Sequence, residues 1–272
     1  MASVSAGALL VRSVGEPGPD GLLVEVTPAA AGWRYVGFEV RRLTRGQSLT
    51  RSTVGREVCL VMLTGKADVR FDSHEWTGIG GRQSVFDGPS DSVYAPPGGE
   101  LSVTAGGAGC EVALGWAPAT RGADATLIPA SEVRVLKRGA DRTERTIHNI
   151  LMEDRPAESL LVTEVFTPGG NWSSYPPHKH DTDDPPRETY LEETYYHRLA
   201  RTEGFGVQLV YTDDRSLNEA LQVRDGDVVL VPRGYHPVAA AAGYDLYYLN
   251  VMAGPVRRWL ITTDPDHRWQ LD

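Results

Sequence analysis

Residues 227–240 read DVVLVPRGYHPVAA, and residues 92–103 read SVYAPPGGELSV. Each is a β-branched, apolar run that halts at proline, turns through glycine and resumes as a second apolar run. Proline removes a backbone donor and glycine supplies the turn, so both stretches predict strand, tight turn and strand rather than helix. Upstream of each lies another strand-like run headed by glutamate, EVCLVMLTGKADV at 57–69 and EETYYHRLA at 192–200. One pattern recurring in each half predicts two related β-modules in tandem. The loop-like APATRGADATLIPA before the charged run RVLKRGADRTERTIHN sets the boundary, giving modules at 1–140 and 141–272.

Outward from these runs, strands are expected at Leu101–Thr104, Glu111–Gly115, Leu160–Phe166, Gly206–Thr212 and Tyr244–Val251. The 29 glycines and 18 prolines fall between short β-rich runs, as in a sandwich, barrel or jelly roll. Only Arg215–Gln222 suggests a short surface turn or helix, so the expected class is all-β. The run Arg138–Asn149 reads as a charged linker whose arginines could also reach a site or an interface.

A chain of 272 residues can bury a proper core, and its formal charge of −9 argues against nucleic acid as the main partner. No apolar run is long enough for a transmembrane helix, and residues 1–21 do not read as a signal peptide, so the expected compartment is cytoplasmic. Cys59 and Cys110 sit in apolar runs and read as two buried thiols in a reducing environment.

Three of the seven histidines are placed suggestively. His178 and His180 lie two apart in YPPHKHD at 175–181, so on an extended strand both imidazoles face one side. A glutamate follows at 192 or 193, and His236 follows the Pro232-Arg233-Gly234 turn. Three imidazoles and one carboxylate suit one divalent cation, zinc first, with manganese, iron, cobalt or nickel also served, and leave positions open for water or substrate. His74 stands alone and reads as a surface residue. Asp181, Asp183, Asp184, Asp213 and Asp214 lack the glycine-spaced pattern of a calcium loop and read as acidic turns.

These residues resemble the two cupin motifs, G-x5-H-x-H-x3,4-E-x6-G and G-x5-P-x-G-x2-H-x3-N. Gly170, His178, His180, Glu193, Gly226, Pro232, Gly234 and His236 supply most of the pattern. The resemblance departs in a longer loop, DTDDPPRETYL, between His180 and the glutamate, in a final histidine one residue early, and in the absent closing asparagine. It implies tandem jelly-roll modules of which only the second keeps the ligands, so the first is expected to be metal-free. The spacing to the family glycine, here Ala200, favours Glu193 over Glu192 as ligand, because neighbouring strand residues face opposite sides.

The runs NWSSYPPHKHDTDD, LEETYYHR, VYTDDRSLNEAL, DGDVVLVPRGYHPV and GYDLYYLNVMAGPVRRW further resemble the 5-deoxy-glucuronate isomerases of inositol catabolism, grouped with the 4-deoxy-5-ketouronate isomerases. That resemblance implies conversion of 5-deoxy-D-glucuronate to 2-deoxy-5-keto-D-gluconate, an aldose–ketose isomerisation through an enediolate, with the metal as Lewis acid. Proton-transfer candidates are His197, Tyr195, Tyr235, Tyr196 and the glutamate that does not bind metal. The substrate carboxylate needs a cation, and Lys179, Arg233 and Arg257 lie closest to the motifs in sequence, with Arg187 and Arg198 behind them and Tyr247 as a hydroxyl partner. A homo-oligomer acting on a small sugar acid is expected. Two other readings stay open: a cupin dioxygenase holding Fe(II), and a non-catalytic sugar-acid-binding cupin.

Overall fold

The computed structural model describes residues 9–271, and its elements are almost all strands. The first eight residues, to which the expectation about a signal peptide partly refers, lie outside the described residues. Among the described residues the one α-helix is the single turn Pro28–Ala31, and no helix is long and apolar enough to cross a membrane. The all-β expectation holds.

The first half builds an eight-stranded sheet around two long strands, Arg56–Phe71 and Glu100–Pro118, which pair along most of their length. The expected strands Leu101–Thr104 and Glu111–Gly115 are the two ends of the second of these. The second half builds a seven-stranded sheet ordered Leu10–Val11, Val228–Val231, Glu192–Leu199, Leu246–Ala253, Leu161–Thr167, Arg145–Leu151 and Arg134–Arg138. A four-stranded sheet of Trp172–Ser173, Val238–Ala240, Gly206–Tyr211 and Asn218–Val223 packs on it. The strands Leu10–Val11 and Arg134–Arg138 thus lie before residue 140 yet belong to the second sheet.

Arg215–Gln222 is not helical. Asp214 accepts from the Thr212 hydroxyl and from the Ser216 amide and hydroxyl to close a turn, and Asn218–Val223 then runs back as an edge strand along Gly206–Tyr211. Its helix-forming leucine, glutamate, alanine and glutamine are overruled by a neighbouring strand with a free ladder.

The seven-stranded sheet has two faces with different duties. Tyr196, Val228, Leu230, Tyr247, Leu249, Val251 and Val162 face the first module and share one core with Phe38, Val40, Cys59 and Val61. Tyr195, Val229, Val231, Tyr248, Val165 and Leu246 face inward, toward the four-stranded sheet. The modules approach so closely that a Cβ on Gly115 would stand 2.7 Å from a Val251 methyl. Both cysteines are free and buried, and burial raises the thiol of Cys59 to about 12 and that of Cys110 to about 11.

Carboxylates lock the two modules reciprocally. Glu57 accepts the backbone N–H groups of Glu158, Ser159 and Leu160 at 2.9, 2.6 and 2.6 Å. Glu192 accepts those of Arg34, Tyr35 and Val36 at 2.8, 2.8 and 3.0 Å. These are the two glutamates that head the repeated strands, each reaching into the other module. Replacing Glu192 by alanine leaves the buried Val36 amide and its neighbours without acceptors. Thermal and denaturant unfolding of Glu192→Ala should show a loss of about 3 kcal/mol, with a smaller loss for Glu192→Gln.

Candidate metal centre

Alternation along Glu192–Leu199 sends Glu192 to the module interface and Glu193 into the barrel. There the ligand atoms of His180, Glu193 and His236 lie within 4.8 Å of one another, all three residues buried. Glu193 Oε2 is 3.0 Å from His180 Nε2 and 3.3 Å from His236 Nε2. His178 stands beside them, its ring centroid 5.1 Å from that of His236, but it is outside the converging trio.

Local backbone aims each ring. His178 starts the short strand His178–Lys179, which pairs with Thr262–Thr263. Residues 181–190, the long loop, close on themselves: Leu191 donates its N–H to the His180 carbonyl, and Glu188 accepts the amides of Asp181 and Thr182. The insertion leaves its two ends paired. Gly234 has φ +88° and lies so near Tyr211 that a Cβ would be 2.4 Å from its carbonyl oxygen. That turn presents His236 one residue early in the motif.

The three imidazoles share one tautomer. Nδ1 of His178, His180 and His236 lies 3.3, 3.1 and 2.8 Å from the carbonyls of Pro176, Leu191 and Gly234. A carbonyl only accepts, so each Nδ1 carries the proton and each Nε2 is left as a lone pair. His236 Nε2 is buried with no hydrogen-bond partner. Two lone pairs and a carboxylate converging in the protein interior are stable only around a proton or a cation. Burial raises the Glu193 carboxyl, and for His180 the adjacent carboxylate outweighs burial and raises the imidazole. Burial, with His180 second, depresses His236 well below the usual range and takes His178 down to about 3. The donor set fits a divalent cation.

A cavity of about 560 Å³ opens beside the cluster, lined by His178, Glu193, Tyr195, Tyr248, Asn250 and Trp259 among others. Ser174 Oγ lies 2.9 Å from the Tyr195 hydroxyl and 3.4 Å from that of Tyr248. Burial holds both phenols above the usual range, so they remain hydrogen-bond donors at neutral pH.

Of the other sequence candidates, only Tyr195 reaches this cavity. His197 lies deeper, stacked 6.1 Å from Tyr195, with Nε2 2.8 Å from Gln208 Oε1. Tyr235 donates to Asp213, and Tyr196 faces the module interface beside Arg198. Four residues expected to bind substrate lie outside the lining of this cavity. Lys179 points away from the histidines to Asp181, with Asp213 and Glu188 nearby. Arg257 is spent on the carbonyls of Leu160 and Met152, and Arg233 lies exposed near Ser216. Tyr247 donates to Glu164 in the buried Arg82–Glu164–His148 network of the interface. On this strand the tyrosine that lines the cavity is Tyr248, one residue along. Arg187 pairs with Asp184 and Arg198 with Asp225 and Glu111. His74 is exposed, as expected.

Nor is 138–149 a linker. Arg134–Arg138 and Arg145–Leu151 form a hairpin at the sheet edge, and Arg134, Arg138 and Arg145 line the cavity. Alternating Arg134, Leu136 and Arg138 carry the signal, but a strand facing a cavity lacks the apolar period of one facing a core.

Burial lowers His197 to about 4. Its folded value lies below the unfolded one, so its contribution is full above pH about 6.5 and is lost as pH falls toward 4, on the order of 3 kcal/mol. Denaturant unfolding near pH 7 and near pH 4.5 should show less pH-dependent loss in His197→Gln than in the unsubstituted protein. Equal losses would mean that this ring titrates normally in the fold.

Residues 9–270 match the KduI/IolB family. A curated relative, the 5-deoxy-glucuronate isomerase of Geobacillus thermodenitrificans, is 56% identical over 94% of this chain and 93% of its own. The crystal structure of an IolB-like protein from Salmonella typhimurium LT2 is similar at a TM-score of 0.95 and 47% identity, covering 98% of this chain and 100% of that one. An oxalate decarboxylase from Lactobacillus farciminis shares the cupin fold at a TM-score of 0.64 and 14% identity, over 95% of this chain and 89% of its own.

Proposed function

The chain belongs to the KduI/IolB family, and from that membership and the buried histidine–carboxylate cluster we propose that it isomerises 5-deoxy-glucuronate at a divalent metal centre. It is an aldose–ketose isomerase: the C2 proton passes to C1 and the O2 proton to O1, and no atom is gained or lost. The observation that carries the metal assignment is the shared tautomer, three Nδ1–H groups tied to carbonyls, with the Nε2 atoms of His180 and His236 turned to one buried carboxylate.

His180, Glu193 and His236 hold the cation, with His178 as the fourth donor. A cation there supplies Lewis acidity at the carbonyl and hydroxyl oxygens of an adjacent substrate. Tyr195 and Tyr248, protonated and linked through Ser174, donate hydrogen bonds to the sugar oxygens on the cavity wall. Trp259 and Met252 screen the same wall from water. The first module contributes by packing: its Glu57, counterpart of the glutamate at the head of the second repeat, is occupied by backbone amides and serves the interface.

Metal analysis with NMR of ketose formation from 5-deoxy-D-glucuronate tests both parts. About one metal per chain is expected. His236→Ala should lose the metal and drop kcat/KM by about 100-fold or more, the rate recovering in the unsubstituted protein when metal is restored after chelation. Turnover unchanged after complete metal removal sinks the metal assignment. Oxygen uptake in place of ketose sinks the isomerase reading and favours the Fe(II) dioxygenase.

A further inference from the structure

Arg138 and Arg145 have no part in the chemistry above. Arg138 closes the edge strand Arg134–Arg138 and Arg145 opens its neighbour Arg145–Leu151, so the two stand directly opposite each other in the antiparallel register. The same hairpin face carries Arg134 and Asn149 as a second opposite pair and Leu136 and Ile147 as a third, and all six residues line the cavity. Like charges directly opposite on neighbouring strands repel.

Neither arginine has an ion-pair partner among the described residues, and the carboxylates that share the cavity lining, Glu153 and Asp154 besides Glu193, pair with neither of them. Of the other arginines withdrawn from water, Arg41 sits on Glu39 and Asp20, Arg82 on Glu164, Arg198 on Asp225 and Glu111, and Arg257 lies in the field of Glu57 and Glu153. Burial lowers the pKa of Arg145, with Arg138 acting in the same direction and the Tyr248 phenol against it. Its guanidinium donates to the carbonyls of Thr143 at 3.0 Å and Tyr175 at 2.9 Å. Those bonds orient the fork and leave other N–H groups unspent, in a cavity whose far duties are carried by Glu193 and the phenols. A cation held by carbonyls, half withdrawn from water and opposed by another cation is an anion site awaiting its anion.

We infer that Arg145, with Arg138 across the ladder, receives the carboxylate of the sugar acid and leaves the aldehyde end to the Glu193 side of the same cavity. This assignment rests on the sugar-acid reading above. It assigns the substrate's charge to residues far from the histidine motifs in sequence, and it excludes the neutral aldose of the same length as an equal substrate.

The metal-loaded full chain, with Arg145→Gln and Arg145→Lys, is titrated calorimetrically with D-glucuronate and with its uncharged amide, D-glucuronamide. The unsubstituted protein should prefer the acid on the order of 10- to 100-fold, Arg145→Gln should bring that ratio near unity, and Arg145→Lys should restore part of it. Arg138→Gln, changed on the exposed member of the pair, should reduce the ratio less and guards against misfolding of the buried variant. With 5-deoxy-D-glucuronate, Arg145→Gln should raise KM by a similar factor while kcat changes little. An acid preference that survives in Arg145→Gln, or is absent from the unsubstituted protein, overturns the carboxylate site. Acid preference without turnover of 5-deoxy-D-glucuronate would instead retain the site and reject that substrate.

Discussion

Two consecutive glutamates on one strand organise this molecule. A β-strand turns each successive side chain to the opposite face, so Glu192 and Glu193 cannot share a task. Glu192 crosses into the first module and caps three amides there, while Glu193 enters the barrel and faces the imidazoles. A register slip of one residue would exchange them, placing a cap in the metal centre and a ligand in the interface. The tight packing of Val251 on Gly115 and the shared core on the interface face hold the register that the chemistry needs.

The buried carboxylates show how the same residue type is put to different uses. Glu57 and Glu192 are each saturated by three backbone amides, and Glu164 by Arg82, His148 and Tyr247. Glu193 faces imidazole lone pairs whose protons are committed to carbonyls on the other side, together with the Tyr195 phenol. Burying a charge demands a partner, and at Glu193 that partner is the cation proposed above. Arg145 poses the mirror-image problem on the wall of the same cavity, a half-buried cation without an ion-pair partner among the described residues. The two unsatisfied charges of opposite sign give the cavity a polarity suited to a substrate with a carboxylate at one end and a reacting carbonyl at the other.

The strands were legible because β-branched runs bounded by proline and glycine leave little choice. The repeated glutamate-headed run was legible too, although its meaning, a pair of reciprocal caps, lay in a contact between residues more than a hundred positions apart. Asn218–Val223 misled because its residues favour helix when read alone and acquire a strand partner only in the fold. The edge hairpin misled for another reason. Its inner face meets a cavity, so arginine and leucine alternate where a core strand would show only apolar residues.

By itself the sequence determined the all-β class and the kinship with the isomerase family, and it pointed to a tandem repeat and to the histidines and glutamate proposed to surround one centre. Each of these is written in local spacing, turn chemistry or the pairing of like runs, which a chain carries before it folds. Only the tertiary structure decided that Tyr248 rather than Tyr247 meets the cavity, that Lys179, Arg233 and Arg257 have other partners, and that Arg138 and Arg145 stand there instead. Which face a strand turns inward, and which distant strand lies beside it, follow from the packing of whole sheets. Proximity in sequence to a motif therefore says little about proximity to the site.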